Sequence, residues 1–594
     1  MAPIIFKQCG TCHHPDGSGP FSLLTYEDVR KRARQIGEVT RSRYMPPWLP
    51  AHGYGEFIGE RRLSDDEIET IGSWVSSGAV EGAPADLPPV PQWPGGWQLG
   101  EPDLILKIPE PYTLAAEGRD VYRQFVLPTG LTTSRYVRAT EIRPGNPKIA
   151  HHAIINLDPT GYAAKQEDEK DSPPGFDGMG LSDGHGLESP GGQYIVWTPG
   201  MIADGGSADM AWTLEPGTDL VLEIHMAPSG KPEVIQPVVG LYFSDQPPTK
   251  YPVQLRLDPS PIDIPAGESE YSVTDSMVLP VDVELLAIFP HAHYLCKVMK
   301  CVAVLPDGKR KWLLNIPDWD FDWQDDYTYA EPVLLPSGTT VSMEFIYDNS
   351  AENPHNPNDP PRRVLEGPQS TDEMSNVSLQ FLPQSPGDGQ QLKELYWRRG
   401  IQRVPGYYYA HFAAGVHSMV QGKFAQARVD YENCLALNPQ FIQARFNLAH
   451  VYLQLKEFDL AILQYQSVLG SDPGNALAHS NLGRIFDQKR DPSRAATHYR
   501  RAIENDPNLF EPHNRLGVIL ARQGSYSEAA KLFARAVQIN PDHSLAHVNL
   551  ANAYLLQKQY ALAITHYNEA LRIDPKDKEA QTNLSRARAA LKTN

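Results

Sequence analysis

The chain has 594 residues, too many for one hydrophobic core; at about 150 residues per domain it implies about four domains. A formal charge of −19 with no basic patch excludes a phosphate-rich nucleic-acid partner, and no apolar run approaches the ~18 residues that would span a bilayer. Five cysteines, two of them in one short motif, leave no complete disulfide framework.

Residues 1–82 contain Cys9-Gly10-Thr11-Cys12-His13, the attachment sequence for c-type haem. Two thiols one helical turn apart form thioethers to the haem vinyl groups, and the adjacent imidazole reaches the iron. A thioredoxin-like pair or a zinc half-site fits poorly, because no βαβ pattern surrounds the motif and no second cysteine pair is present. Tyr44-Met45-Pro46-Pro47-Trp48 offers Met45 as the sixth ligand. His14 and His52 are the alternatives, His14 being too near His13 to cross the haem plane easily. Leu63-Ser-Asp-Asp-Glu-Ile-Glu69 reads as the capped start of a helix running to Gly78. The segment resembles a short single-haem cytochrome c domain. Since such haems are attached outside the cytoplasm, the chain is expected to be periplasmic or extracellular, its export signal removed. Residues 83–99 are proline-rich and read as a semi-rigid spacer that keeps the haem near the next domain.

From 100 to about 390 short alternating segments are broken by Pro and Gly, the pattern of antiparallel β-sandwiches, and the length suffices for two. The boundary is placed at 265/266, giving domains 100–265 and 266–390. Asp318-Trp-Asp-Phe-Asp-Trp-Gln-Asp-Asp326 suggests calcium, but Trp319, Phe321 and Trp323 alternating with carboxylates fit better a strand with aromatics inward and aspartates wet. Cys296 and Cys301 fall on opposite faces of a regular strand; thiols or a disulfide both remain open. His185, His355, His411 and His417 read as ordinary surface or core residues.

Four motifs in this region carry chemistry: His151-His152, His225, His291-Ala292-His293 and Asp372-Glu373-Met374. In a strand, residues two apart share a face, so His291 and His293 can reach one ion. Adjacent His151 and His152 can do so only if the backbone is irregular there. Imidazole suits copper, and a thioether favours the cuprous state. The order of the motifs resembles the copper type II, ascorbate-dependent monooxygenases, which include the peptidylglycine and dopamine hydroxylases.

That resemblance implies two jelly-roll-like sandwiches facing a cleft. One copper, on His151, His152 and His225, stores an electron; the other, on His291, His293 and Met374, is where dioxygen is activated against a substrate C–H bond. The fused haem suggests that electrons come from a redox partner protein through haem rather than from ascorbate. The peptide hydroxylases hold a substrate carboxylate with an arginine and a tyrosine at positions that are Phe289 and Ser378 here, although Asn376 is kept. The unidentified organic substrate is therefore expected to be more apolar. A relay that carries electrons without catalysis, or a scaffold that assembles through its repeats, is the alternative.

Residues 400–594 repeat every 34 residues, with Pro439, Pro473, Pro507, Pro541 and Pro575 in register, which is the tetratricopeptide period. Ala461, Ala495, Ala529 and Ala563 form a small-residue column, and Tyr465, Tyr499, Phe533 and Tyr567 stand four residues further on. Cys434 falls in a column with Val468 and Ala502 and reads as a buried small residue. Five repeats and a last helix predict an α-solenoid for a protein or peptide partner. The expected whole is a multidomain chain of helical cytochrome c, two β-sandwiches and solenoid, holding one haem c and two coppers.

Overall fold

The computed structural model describes residues 1–15, 19–91, 97–168, 174–178, 187, 189–193, 195–201, 203–259 and 261–593. His185 and residues 92–96 of the proline-rich spacer lie outside them. Two compact units result, Met1–Arg399 and Gly400–Asn594.

The first unit begins with α1 (Ala2–Gln8), α2 (Tyr26–Lys31), α3 (Ala33–Arg41) and α4 (Asp65–Ser76). They close over a small core of Ile5, Leu23, Val29, Ile36, Leu63 and Ile71. The Ser64 hydroxyl accepts from the Glu67 amide and the Glu67 carboxylate from the Ser64 amide, so α4 starts at its expected cap.

A first sandwich comes next: β1 (Leu104–Lys107), β2 (Tyr112–Leu114), β3 (Val121–Pro128), β4 (Arg135–Arg143), β5 (Ala150–Asp158), β6 (Phe176–Asp177), β7 (Val196–Trp197), β8 (Trp212–Leu214), β9 (Asp219–Met226), β10 (Glu233–Ile235) and β11 (Val238–Ser244). Sheets ordered β6-β3-β9-β5-β7 and β1-β11-β4-β8 share one core. The second is built of β12 (Val253–Leu257), β13 (Asp263–Ile264), β14 (Tyr271–Val278), β15 (Val283–Ala292), β16 (Cys296–Val304), β17 (Arg310–Ile316), β18 (Tyr327–Leu335), β19 (Thr340–Tyr347), β20 (Val364–Leu365) and β21 (Ser375–Pro383). Its sheets are β12-β21-β15-β18 and β14-β19-β16-β17. Because β12 pairs with β21, the boundary lies between Ser244 and Val253 and not at 265.

Two further expectations change. Residues 321–323 form a 3-10 turn instead of a strand, since the Asp320 side chain accepts from the Asp322 amide and bends the chain. Trp319 and Phe321 still point inward, but Asp325 is paired with Arg61 rather than wet. The helical segment also meets the second sandwich directly. Phe57 bridges Tyr329 antiparallel, Ile58 donates to the Thr328 carbonyl (2.8 Å) and Ala330 to that of Glu56 (2.8 Å), so residues 56–58 pair along β18. Trp48 packs edge-on against Tyr327 at 5.4 Å, and Phe57 lies 5.0 Å from Tyr329. A buried Phe contributes about 1.5–3 kcal/mol, which makes this seam a joint. Cys296 and Cys301 are buried free thiols, and burial pushes Cys301 up to about 12.

In the second unit helices α5 (Tyr408–Val420), α6 (Phe424–Leu437), α7 (Ile442–Gln454), α8 (Phe458–Ser471), α9 (Ala476–Gln488), α10 (Pro492–Asn505), α11 (Phe510–Arg522), α12 (Tyr526–Ile539), α13 (Ser544–Leu556) and α14 (Tyr560–Ile573) pair in sequence, with α15 (Lys578–Thr593) last. The alanine column and the Tyr465, Tyr499, Phe533 and Tyr567 column are fully or almost fully buried, as is Cys434.

Candidate metal centre

The histidines sit where strands of the two sandwiches turn irregular or end. On β5 the pairing with β9 slips between Ala150 and His152, so His151 is the extra residue of a β-bulge. That irregularity is what adjacent histidines need to serve one centre: His151 and His152 both lie 5.0 Å, ring centroid to centroid, from His225 on β9. His291 and His293, at the end of β15, are 5.3 Å apart. Two imidazoles on one ion, each with its nitrogen about 2.0 Å away, have ring centroids at about this separation.

The two sets are not held apart across an open gap. His152 and His291 stand 5.8 Å apart, so five imidazoles form one chain, His151, His225, His152, His291, His293. The expected facing walls meet here. Among the described residues, no three His, Cys, Asp or Glu side chains converge on a single point as a closed metal site would require.

The hydrogen bonds nevertheless leave ligand capacity in the cluster. His225 donates through Nε2 to Asp120 Oδ2 (3.1 Å), His293 through Nδ1 to the Asp372 carbonyl (3.1 Å) and His291 through Nδ1 to Gln324 Oε1 (2.6 Å). Each acceptor is an oxygen without a proton to give, which fixes the tautomer and turns the other ring nitrogen into a lone-pair donor. His225 Nδ1, His293 Nε2 and His152 Nδ1 are buried without a hydrogen-bond partner. Each such atom costs about 1–3 kcal/mol. Two of these nitrogens, His152 Nδ1 and His225 Nδ1, belong to the first histidine set and His293 Nε2 to the second, and imidazole nitrogens of this kind are the donors a borderline metal ion takes.

Electrostatics agree with that donor set. Burial, then the neighbouring imidazoles, lowers His151 to about 4, His293 to about 3 and His152 well below its usual range. Burial lowers His291 to about 4, against the Gln324 bond. All four are neutral at pH 7, the form that binds metal.

Met374 directly precedes β21, whose Ser375 and Asn376 are partners of Ala292 and His291, and its carbonyl accepts from the Tyr347 hydroxyl at 2.8 Å. Glu373 fastens this corner, accepting from the amides of His293 (3.0 Å), Leu295 (2.6 Å) and Met374 (3.3 Å). Phe289 and Ser378 are cross-strand partners, with Arg256 opposite Ser378 on β12 and paired to Asp258 at 3.3 Å. Sequence reading missed Asp120, Gln324, Tyr122 (stacked on His225 at 4.2 Å) and Phe321, which lies 5.3 Å from His151 and 5.5 Å from His293.

The haem-motif residues sit at the end of α1. The His13 amide donates to the Cys9 carbonyl at 2.9 Å, continuing the turn, and His13 Nδ1 donates to the Phe21 carbonyl at 2.9 Å. With Nδ1 donating, Nε2 is the ring nitrogen that carries the lone pair. Met45, partly buried, donates its amide to Val39 O at 3.1 Å. Cys9 is pushed up to about 12 by burial and by Cys12.

The family model that matches the chain is the tetratricopeptide repeat, over 412–476, 446–510, 480–544 and 514–578. Residues 412–578 are tetratricopeptide repeats. Similar solved structures include YrrB, described as a TPR protein with an unusual peptide-binding site (20% identity, 32% of this chain, 98% of that one, TM-score 0.29). MamA (20% identity, 28% and 92%, TM-score 0.26) and pilF of Pseudomonas aeruginosa (18%, 31% and 87%, TM-score 0.28) are others. No curated protein matches the chain. Among the described residues, no helix is long and apolar enough to cross a membrane.

Proposed function

We propose that the chain is an exported, periplasmic or extracellular copper-dependent monooxygenase that hydroxylates a C–H bond with dioxygen and draws electrons through its own c-type haem. The observation that carries this reading is the set of buried imidazoles with one nitrogen fastened and the other left without a partner. His151, His152 and His225 would hold one copper; His291, His293 and Met374 the other. Bound copper supplies one-electron transfer and the activation of dioxygen.

The chain's own residues supply the rest. Asp120, Gln324 and the Asp372 carbonyl aim the rings, and burial keeps the imidazoles neutral and excludes water. In this reading residues 1–82 are a cytochrome c domain, with thioethers at Cys9 and Cys12, His13 and Met45 as axial ligands, and a redox protein as donor. The sandwiches are the family's jelly-roll copper domains. Phe289, buried in the row next to His291, favours an apolar group of the substrate. The repeats are the place for a protein or peptide partner.

Metal and haem analysis is expected to give two coppers and one haem per chain. The reduced protein is expected to consume dioxygen, and Met374→Ile to abolish that consumption. A second reading, a relay without catalysis, is favoured by the continuous line of imidazoles through His152 and His291. Dioxygen uptake unchanged in Met374→Ile decides for the relay.

A further inference from the structure

Trp323 stands where the helical module meets the sandwiches. Tyr44, neighbour of Met45, is edge-on to its ring at 6.2 Å and 77°. On the cysteine side, Cys12 Sγ is 3.9 Å from the Gly200 carbonyl, and a Cβ placed on Gly200 would lie 3.8 Å from the Trp323 ring. Cys12 thus approaches the Gly200 backbone beside this indole, and Tyr44 the indole itself. Two residues back in the same 3-10 turn, Phe321 touches His151 and His293, one histidine from each set.

Trp323 Nε1 is buried without a hydrogen-bond partner, although a buried Trp usually finds one. The ring is also held firmly from both sides. Arg61 donates to the Gly200 carbonyl (2.7 Å) and pairs with Asp325, and the Phe57 seam fixes the module along β18.

We propose that Trp323 and Phe321 form the electron route from the haem to the copper ligands, an inference that rests on the haem and copper reading above. In each transfer one electron leaves a ferrous haem, which becomes ferric, and one cupric ion becomes cuprous; no proton moves and no covalent bond changes. Two transfers, with two protons, one dioxygen and one C–H bond, balance to one hydroxyl group and one water. An external one-electron donor protein re-reduces the haem.

The test uses the full chain with haem and copper bound, reduced at the haem by a laser flash without oxygen and followed by haem absorbance. The wild type is expected to reoxidise in a first-order phase independent of protein concentration. Trp323→Leu is expected to lose that phase and Trp323→Phe to keep it, with copper content unchanged and the Ala51 and Ile58 amides, which donate to the Asn315 and Thr328 carbonyls (both 2.8 Å), still protected from exchange. Should Trp323→Leu not fold, Phe321→Leu is expected to show the same loss. An unaltered fast phase in the leucine variant, with both amides protected, overturns the route and leaves the haem as donor. No such phase in the wild type, with both metals bound, overturns the route together with the donor reading.

Discussion

Buried histidines occur in both units, and the difference between them lies in what their nitrogens are left to do. In the repeats, His479 and His547 donate through Nε2 to the carbonyls of Pro473 (3.3 Å) and Pro541 (3.0 Å). Their Nδ1 atoms meet those of His498 and His566 at 3.1 Å, so both nitrogens are used. His411 and His513, in the same column, each keep one orphan Nδ1, on separate helices α5 and α11, and His513 has Leu532 at the equivalent partner position. The sandwiches instead bring His152, His225 and His293, each with an unpartnered nitrogen, into one chain of rings. Burial and a lowered pKa are common to both regions; convergent spare lone pairs are not.

Removing one ring from each histidine set of the sandwiches tests this most severely. His225→Ala and His293→Ala are each expected to lose one equivalent of copper by metal analysis, a loss of all measurable binding at that set. Retention of both coppers in either variant breaks the distinction. Loading the wild type with copper at about 100 times its dissociation constant should add about 2.7 kcal/mol of stability, read as slower amide exchange in β5, β9 and β15 and unchanged exchange in α5–α14.

Acid is the next largest perturbation. In the metal-free protein His151 and His291 titrate at about 4 and His293 at about 3, below the ordinary imidazole value of 6.5. The unfolded chain therefore binds protons that the folded sandwiches exclude, so stability is full above about pH 6.5 and falls as pH drops toward 4. At about 1.4 kcal/mol per unit, the three groups together remove several kcal/mol. In the repeats the same cause, burial first, brings His498 to about 4. Amide protection between pH 7 and pH 5 is expected to fall further in the sandwiches than in the repeats; equal losses contradict the contrast.

The same contrast governs what could be read from sequence. The solenoid was legible because its contacts recur within one 34-residue period, and Tyr465, Tyr499 and Tyr567 sit where that period puts them. The histidine motifs were legible too, and a shared ion at adjacent His151 and His152 calls for an irregular backbone where a bulge is found. Their supports were not. Asp120 reaches His225 across 105 positions and Gln324 reaches His291 across 33, with no local pattern to mark either. Residues 318–326 alternate like a strand, but the Asp320 side chain captures the Asp322 amide and turns them. The seam along β18 comes from Glu56-Phe57-Ile58, too short to alternate. The β12 boundary was missed because Val253–Leu257 finds its partner more than a hundred residues later.

Gln324→Leu is expected to be milder than loss of a ligand. It keeps the volume roughly constant but removes the oxygen that fixes the His291 tautomer, and losing such a partner weakens metal binding about 10–100-fold. Copper competition with a chelator measures it. Unchanged affinity would mean that the 2.6 Å bond orients nothing.

The smallest effect belongs to the repeats. His479→Ala removes the bonds to the Pro473 carbonyl and to His498, at a cost of about 1 kcal/mol for partly exposed groups. His498 then keeps a buried-side nitrogen with no partner, so adding His498→Ala to it should cost less than the sum of the two single changes. Exchange protection in α9 and α10 of the full chain reads both variants. Copper content should stay at the wild-type value in each, because the nitrogens removed were already satisfied within the solenoid. A lost copper equivalent in His479→Ala would place metal binding in the repeats as well and dissolve the difference between the two sets of histidines.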